Sequence, residues 1–472
     1  MNDEIELVNV GGGQGAVCEG GACAVPGADG SGGAPAGEVA AAGGAAESAA
    51  AAGGAPSGGT PESAAAAGGT PATGAVIDGA PAGGGGRTAK GRVILPGATI
   101  GVLGGGQLGR MLAHAGSRLG YRFVTLDPTP DSPCGQTAAQ IVAGYADREA
   151  ARELARRSDV ITYEFENVDA GVAAMLEAES YVPQGSALLH TTQHRLREKR
   201  AVEAAGARVA PYDQVASLGE LAEAAERLGL PAVLKTAVGG YDGKGQWVLR
   251  TAADLEPAWA EAKAAGTELV LEKFVDFAKE ISVIAARRPS GEIRTFPPAE
   301  NIHVNNILHL SIVPARIDGR VREEAEKLAV SIARTLGVVG LIAVEMFVGK
   351  DGELYVNELA PRPHNSGHYT IEAARTSQFE QHIRAICDLP LGDPSLLTPV
   401  VMANLLGEHV PPLLEWMGTR DEAAERLGVE PKVHLYGKAE AKARRKMGHV
   451  NVLAPSVDAA LKWIAQSNIW RV

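Results

Sequence analysis

The sequence has few cysteines, no excess of positive charge and no long apolar run, and each shortage excludes a class of protein. Only Cys18, Cys23, Cys134 and Cys387 occur in 472 residues. Cys18 and Cys23 have no second pair at metal-ligand spacing, which argues against a zinc site and a disulfide framework; all four read as reduced and non-catalytic. Lys and Arg number 44 against 56 Asp and Glu, a net charge of −12, the wrong sign for a nucleic-acid surface. No apolar run approaches the roughly 18 residues of a membrane span. Asp3, Glu4 and Glu6 make the N-terminus unlike a secretory signal or an Arg-rich transit peptide. The expectation is a cytoplasmic protein with neither nucleic acid nor membrane as partner.

What is present begins with a bias. Residues 1–94 are mostly Gly, Ala, Ser and Pro, with AAAAGGTP and AAGGAP recurring loosely; such a segment cannot bury enough apolar surface to offset its ordering entropy, so a disordered tail is expected. The strand Thr99 to Leu103 then enters a glycine-rich turn, a helix with Leu108, Met111, Leu112 and Ala115 on one face leaves it, and a second strand ends at Asp127. Gly104, Gly106 and Gly109 fit G-x-G-x-x-G, and Asp127 stands where a ribose-binding carboxylate would, the pattern of a dinucleotide-binding dehydrogenase. Any βαβ unit that brings backbone to an anion at a helix N-terminus wants the same glycines. A helix over Asp147 to Arg157, the strand and loop DVITYEFEN with Glu164 and Glu166, a helix over Gly171 to Glu179 and a short strand YVPQGS complete a small parallel α/β domain. Glu164 lies at the carboxyl end of its strand, where open α/β sheets bind ligands.

A helix from Arg195 to Ala205 opens a second region. Its informative stretch is LPAVLKTAVGGYDGKGQWVLR: a strand ending in Lys235, a loop able to fold its amides over phosphates, and a returning strand from Gln246. The loop lacks the Lys-Ser/Thr of a Walker A sequence and starts no helix. A helix over Asp254 to Ala265 precedes ELVLEKFV, which carries Glu272, and KEISVIAAR carries Glu280. The backbone of Lys273 and Val275 suits a base edge, and Glu280 suits ribose hydroxyls. FPPAENIHVNNILHLSIVPAR reads as a strand, followed by a helix from Arg322 to Leu336.

The stretch VEMFVGKDGELYVNELAPRPHNSGH, Val344 to His368, is the chemical centre. Asp351-Gly352 reads as the two-residue loop of a type I′ hairpin, which requires positive φ at both positions. Pairing Lys350 with Glu353 across it places Glu345 opposite Glu358. Facing carboxylates repel, and more so when half-buried, so a hard divalent cation with oxygen ligands, Mg²⁺ above all beside phosphates, is expected between them. A solvated hairpin would carry the same glutamates facing water. The Pro- and Gly-broken run beyond it concentrates Arg362, His364, Asn365 and His368, which suits a small anion.

Lys235, the Gly240 to Gln246 loop, Glu272, Glu280 and the carboxylates Glu345 and Glu358 follow in the order of an ATP-grasp enzyme. With GGGQLGRM, YEFEN, GGYDGKGQ, NELAPRPHNSGH and YGK…RRKMGH, the chain from about residue 97 onward closely resembles the 5-(carboxyamino)imidazole ribonucleotide synthetases of purine biosynthesis. The resemblance implies an ATP-grasp fold over 194–395, preceded by a parallel, Rossmann-like α/β domain over 97–193 and followed by a small β-rich domain over 396–472. It implies ATP held by Arg195, Lys235, Gly240, Tyr241, Asp242, Gly243, Lys244, Gly245 and Gln246, with Glu272, Lys273, Phe274, Val275, Glu280, His303, Asn357 and Glu358. It further implies Mg²⁺ on Glu345 and Glu358, bicarbonate or carboxyphosphate on Arg362, His364 and Asn365, and 5-aminoimidazole ribonucleotide on Gln107, Leu108, Glu164, Lys438, Arg445 and Lys446. A homodimer is also implied. Family members carry a proline and a glycine where this chain has Ala441 to Arg444, so either Arg444 or Arg445 could meet the 5′-phosphate. The formate-dependent glycinamide ribonucleotide transformylase shares the architecture; HNSGH and GGGQLGRM favour the carboxylating enzyme. Deleting residues 1–90 is expected to leave turnover unchanged; a loss of tenfold, roughly 1.4 kcal/mol of transition-state stabilisation, would give the tail a role.

Overall fold

The structure, a computed structural model, describes residues 92–239 and 244–471. The segment expected to be a disordered tail lies outside the described residues up to Gly91. Its last residue departs from that expectation, because Ile94 is buried, its amide donates to Cys387 O (3.0 Å) and Tyr121 Oη donates to its carbonyl (2.6 Å).

The first sheet is parallel, in the order Ala139–Val142, Arg122–Asp127, Thr99–Leu103, Val160–Tyr163. Its two central strands are buried almost throughout, as expected when helices cover both faces. Asp147 and Asp169 cap the helices Arg148–Arg156 and Ala170–Glu179 through their side chains. The strand expected at YVPQGS does not form. Only Tyr181 O joins the ladder, accepting from Ile161 N (2.9 Å); Pro183 has no N–H to donate, and the Gln184 side chain takes over, accepting from Tyr163 N and donating to Pro361 O (3.2 Å). One amide thereby ties this sheet to the polar loop.

A four-stranded antiparallel sheet follows, in the order Tyr212–Val215, Leu269–Lys273, Ala232–Thr236, Gln246–Leu249. Helices Leu218–Leu228 and Leu255–Lys263 bury Leu221, Ala225, Ala258 and Ala262 against it. A nine-stranded sheet then runs Leu354–Ala360, Gly340–Gly349, Phe277–Arg287, Ala299–Val304, Ile307–Val313, Val400–Leu406, Lys446–Leu453, Glu430–Leu435, with Ile293–Thr295 beside Phe277–Arg287. The strands expected to make a C-terminal domain therefore extend this sheet, Val400–Leu406 pairing with Ile307–Val313. The amphipathic helix Gly319–Thr335 covers its other half with Val321, Ala325, Ala329 and Ile332.

Two turns correct the sequence reading. The stretch read as one strand, Phe296 to Arg316, folds back at Asn305-Asn306, both with positive φ (51° and 62°), so the two-residue loop sits here, where Asn tolerates the left-handed region. At the glutamate hairpin only Gly352 has positive φ (79°), and Gly349 N donates to Glu353 O (2.8 Å), making a three-residue loop. That slips the register by one, Val348 facing Leu354, and a bulge at Asn357 restores it, so Glu345 does face Glu358.

Helix Gln107–Arg118 approaches the sheet through Gly116, where a Cβ would run into the Phe123 ring and reach Ile383 Cδ1 at 2.9 Å. Gly116→Ala is expected to lower unfolding stability by about 1–3 kcal/mol through overpacking. Gly144→Ala, where nothing lies within 4 Å, should stay near the parent in the same denaturant titration.

Candidate active site

The three sheets bring their loop ends together around the hairpin, and nearly every charge there has an opposite partner. Glu345 Oε1 lies 2.9 Å from His364 Nε2, and Glu358 Oε2 lies 3.6 Å from Arg195 Nη1 at the start of helix Arg195–Ala204. Burial opposes ionisation of Glu345, but His364, with His303 and Arg362 beyond it, outweighs burial and holds the carboxyl down to about 2. Glu358 shifts the other way, raised by burial and by the carboxylates of Glu345 and Glu166 against Arg195. Two facing carboxylates that push their ionisation apart fit a hard divalent cation, which takes oxygen ligands. Among the described residues no group of three or more His, Cys, Asp or Glu stands at metal-binding geometry.

Behind the pair, Glu272 is buried with one oxygen 2.9 Å from Lys235 Nζ and the other 3.2 Å from Lys199 Nζ. Burial works against the Glu272 carboxylate, yet the two ammonium groups hold it at about 2. Glu272, expected at the nucleotide, is committed to the lysines. Lys199 and its neighbour Glu198 were not singled out from the sequence, although Leu196, Lys199 and Val202 recur at helical spacing and all three are buried. Glu198 accepts from Leu359 N (2.7 Å), and burial together with Glu358 pushes it up to about 8.

The amides of Lys273 and Phe274 donate to Pro211 O (2.8 Å) and Pro231 O (3.1 Å), so neither amide is open to a ligand. Glu280 Oε2 meets His303 Nδ1 at 2.6 Å, and this carboxylate outweighs burial to raise the histidine's pKa. Gly240, Tyr241, Asp242 and Gly243 lie outside the described residues; Gln246, beyond Lys244 and Gly245, pairs with Lys235.

In the polar loop, Arg362 grips Glu166 through Nε and Nη2, the latter 2.9 Å from Oε1, and donates from Nη1 to Pro363 O (3.2 Å). Both amide atoms of Asn365 are buried without a protein partner, which marks a place for a ligand. Gln378 was not anticipated: fully buried, it brackets His364 by accepting from His364 N and donating to His364 O, both at 2.8 Å.

At the glycine-rich turn the dinucleotide reading fails. The Glu164 carboxylate accepts from Gly106 N and Gly109 N, filling the helix N-terminus where a pyrophosphate would lie. Asp127 accepts from Gly105 N (2.8 Å) and Tyr145 Oη (2.6 Å) and is not presented to a ribose. Burial lifts Glu164 to about 7 despite the two amides. Gln107 is half-buried and Leu108 buried beside it. Across from the turn, Lys438 donates to Lys446 O (2.7 Å), and burial with nearby Arg445 lowers it to about 8, Glu164 opposing. Arg445 thus belongs to the Lys438 cluster. Arg444 turns away, its φ at +63° and its Nη2 on Asn305 O (3.1 Å). Cys134 and Cys387 are free and buried, and burial pushes both thiols up to about 12.

Residues 97–193 match the ribonucleotide synthetase preATP-grasp domain, 200–379 the ATP-grasp domain, and 400–462 the phosphoribosylaminoimidazole carboxylase C-terminal domain. An N5-carboxyaminoimidazole ribonucleotide synthase of Bacillus subtilis is 52% identical over 381 residues, covering 80% of this chain and 97% of that one. An ADP complex of an N5-carboxyaminoimidazole ribonucleotide synthetase superposes with a TM-score of 0.77 at 55% identity, over 80% and 98% of the two chains. The Aspergillus clavatus enzyme with ADP and 5-aminoimidazole ribonucleotide superposes with a TM-score of 0.72 at 32% identity, over 79% and 99%.

The carboxylates of the site divide by sign. Glu166 and Glu272, depressed to about 2, contribute stability that is present above their unfolded value of 4.5 and lost as pH falls toward 2. Glu164 and Glu198, raised to about 7 and 8, bind protons more tightly folded than unfolded, so they subtract stability as pH climbs through that range. Unfolding free energy measured against pH should pass through a maximum near the carboxylate range. Glu198→Gln should flatten the limb between pH 5 and 8.

Proposed function

We propose, on the premise that the chain belongs to the N5-carboxyaminoimidazole ribonucleotide synthase family of ATP-grasp ligases, the following division of labour within its site. The enzyme carboxylates the amine of 5-aminoimidazole ribonucleotide with bicarbonate at the expense of ATP, releasing ADP and phosphate. The observation that carries the residue assignment is the facing pair Glu345 and Glu358, one turn of chain away from Arg362, His364 and the unpartnered amide of Asn365.

On this reading a bicarbonate oxygen attacks the γ-phosphorus of ATP, the bond to the β–γ bridging oxygen breaks, and ADP leaves. Lys235, held by Glu272, meets the charge spread over the phosphate oxygens, and Lys244 and Gly245 close the phosphate loop over it. Mg²⁺ would be held by Glu345 and Glu358, neutralising phosphate charge. Arg362 offers a planar fork to the carboxylate-shaped anion, with His364 and Asn365 beside it. Carboxyphosphate then parts into CO₂ and phosphate; the amine nitrogen attacks the carbon of CO₂, a C–N bond forms as one C=O π bond opens onto its oxygen, and the amine proton passes to the phosphate just released. Proximity contributes much of this second step, and exclusion of water preserves the labile intermediate. Arg195, Glu280, His303, Asn357 and the chain from Lys273 to Val275 would cradle the nucleotide. Gln107, Leu108 and Glu164 would meet the aminoimidazole ribonucleotide, with Lys438, Arg445 and Lys446 on its 5′-phosphate.

The functional regions 97–193, 194–395 and 396–472 follow the same reading. A homodimer and a cytoplasmic location complete it; no helix among the described residues is long and apolar enough to cross a membrane. ADP release measured with bicarbonate against formate, with and without 5-aminoimidazole ribonucleotide, tests the whole. Glu358→Gln should cut bicarbonate-dependent ADP release by a factor on the order of 100 or more while the thermal transition stays in place. Near-normal turnover in that variant sinks the cation assignment.

A further inference from the structure

Glu166 is a half-buried carboxylate at the site with no part in the scheme above, and Arg362 holds it through two nitrogens. It stands two residues beyond Glu164, on the loop leaving strand Val160–Tyr163, whereas Arg362 comes from the loop after strand Leu354–Ala360. The loop carrying Glu166 is fixed at both ends. Glu164 is anchored to Gly106 N and Gly109 N, and Gln193 Nε2 donates to Glu166 O (2.7 Å) and Val168 O (2.9 Å). The Glu166 side chain is 30% exposed and that of Arg362 17%.

A guanidinium has five N–H donors. Three are assigned here: Nε and one Nη2 hydrogen to Glu166, one Nη1 hydrogen to Pro363 O. What remains is one hydrogen on each terminal nitrogen, available to a carboxylate-shaped anion. The amide of Asn365, buried and unpartnered, belongs to the same loop.

We infer that Glu166 is a positioning and anion-selecting residue: by occupying the inner edge of Arg362 it fixes which edge faces bicarbonate and balances the charge there, so that the slot holds a monoanion and releases the phosphate dianion. A lone guanidinium would hold the more highly charged product at least as firmly as the substrate. With Glu166 opposite, the added repulsion falls most heavily on the dianion. The depressed ionisation of Glu166, held at about 2 by Arg362 against its burial, keeps that balancing charge in place throughout the working pH range.

The inference rests on Arg362 as the bicarbonate residue, so the test includes that position. Full-length Glu166→Gln, Glu166→Asp and Arg362→Lys are compared in steady-state ADP release, varying bicarbonate, ATP and inorganic phosphate as inhibitor. Glu166→Gln should raise the KM for bicarbonate about tenfold, leave that for ATP within about twofold, and lower the ratio of the phosphate inhibition constant to the bicarbonate KM by at least about tenfold. Glu166→Asp, which keeps the charge, should preserve the ratio even where KM rises, and it stands in should the glutamine variant fail to fold. An unchanged ratio in Glu166→Gln, a parallel rise in the ATP KM, or a collapsed ratio in Glu166→Asp overturns the inference. If Arg362→Lys leaves the bicarbonate KM unchanged, the reading of Arg362 fails instead.

Discussion

Two carboxylates facing each other across a ladder repel, and the surrounding site is built to tolerate that repulsion. Glu345 leans on His364, Glu358 on Arg195, Glu272 on Lys199 and Lys235, Glu166 on Arg362. The partners come from three places: the helix Arg195–Ala204, the strand Ala232–Thr236 and the loop beyond the hairpin. The repulsion at the centre is thus relieved by a helix and a loop that the fold brings to the hairpin from outside it. Breaking the buried pairing of Glu272 with its lysines costs more than the pairing contributes, because the remaining charge is left unsolvated.

The glycine-rich turn shows how local sequence can mislead about chemistry while being right about shape. The strand, the glycines and the helix all form as a dinucleotide fingerprint requires, and the amides at the helix start do bind an anion. That anion is the chain's own Glu164. A side chain supplied from nearly sixty residues downstream leaves no mark in the G-x-G-x-x-G spacing.

Much of the candidate site was legible because its residues cluster in short stretches with unusual composition: the hairpin, the Arg362 to His368 run, the Lys438 to Lys446 loop. The facing of Glu345 and Glu358 was reached through two departures that cancel, a loop longer by one residue and a bulge at Asn357. Hydrogen-bonding detail of that kind is not encoded in apolar alternation. Lys199, Glu198 and Gln378 were missed because charged and amide residues in a helix ordinarily face water, and what buries these three is the arrival of distant elements. The hairpin at Asn305-Asn306 was read through as strand because its flanks are apolar on both sides. Only the left-handed tolerance of Asn marked the turn.

The union of Ile307–Val313 with Val400–Leu406 bears on how the chain is made. During synthesis the strand Ile307–Val313 emerges long before its neighbour and presents an unpaired, largely apolar edge in the meantime. Such edges recruit other chains. The C-terminal strands act as the seal on a growing sheet. Synthesis cut short before about residue 400 would give a product with its glutamate hairpin already paired and its adhesive edge still open.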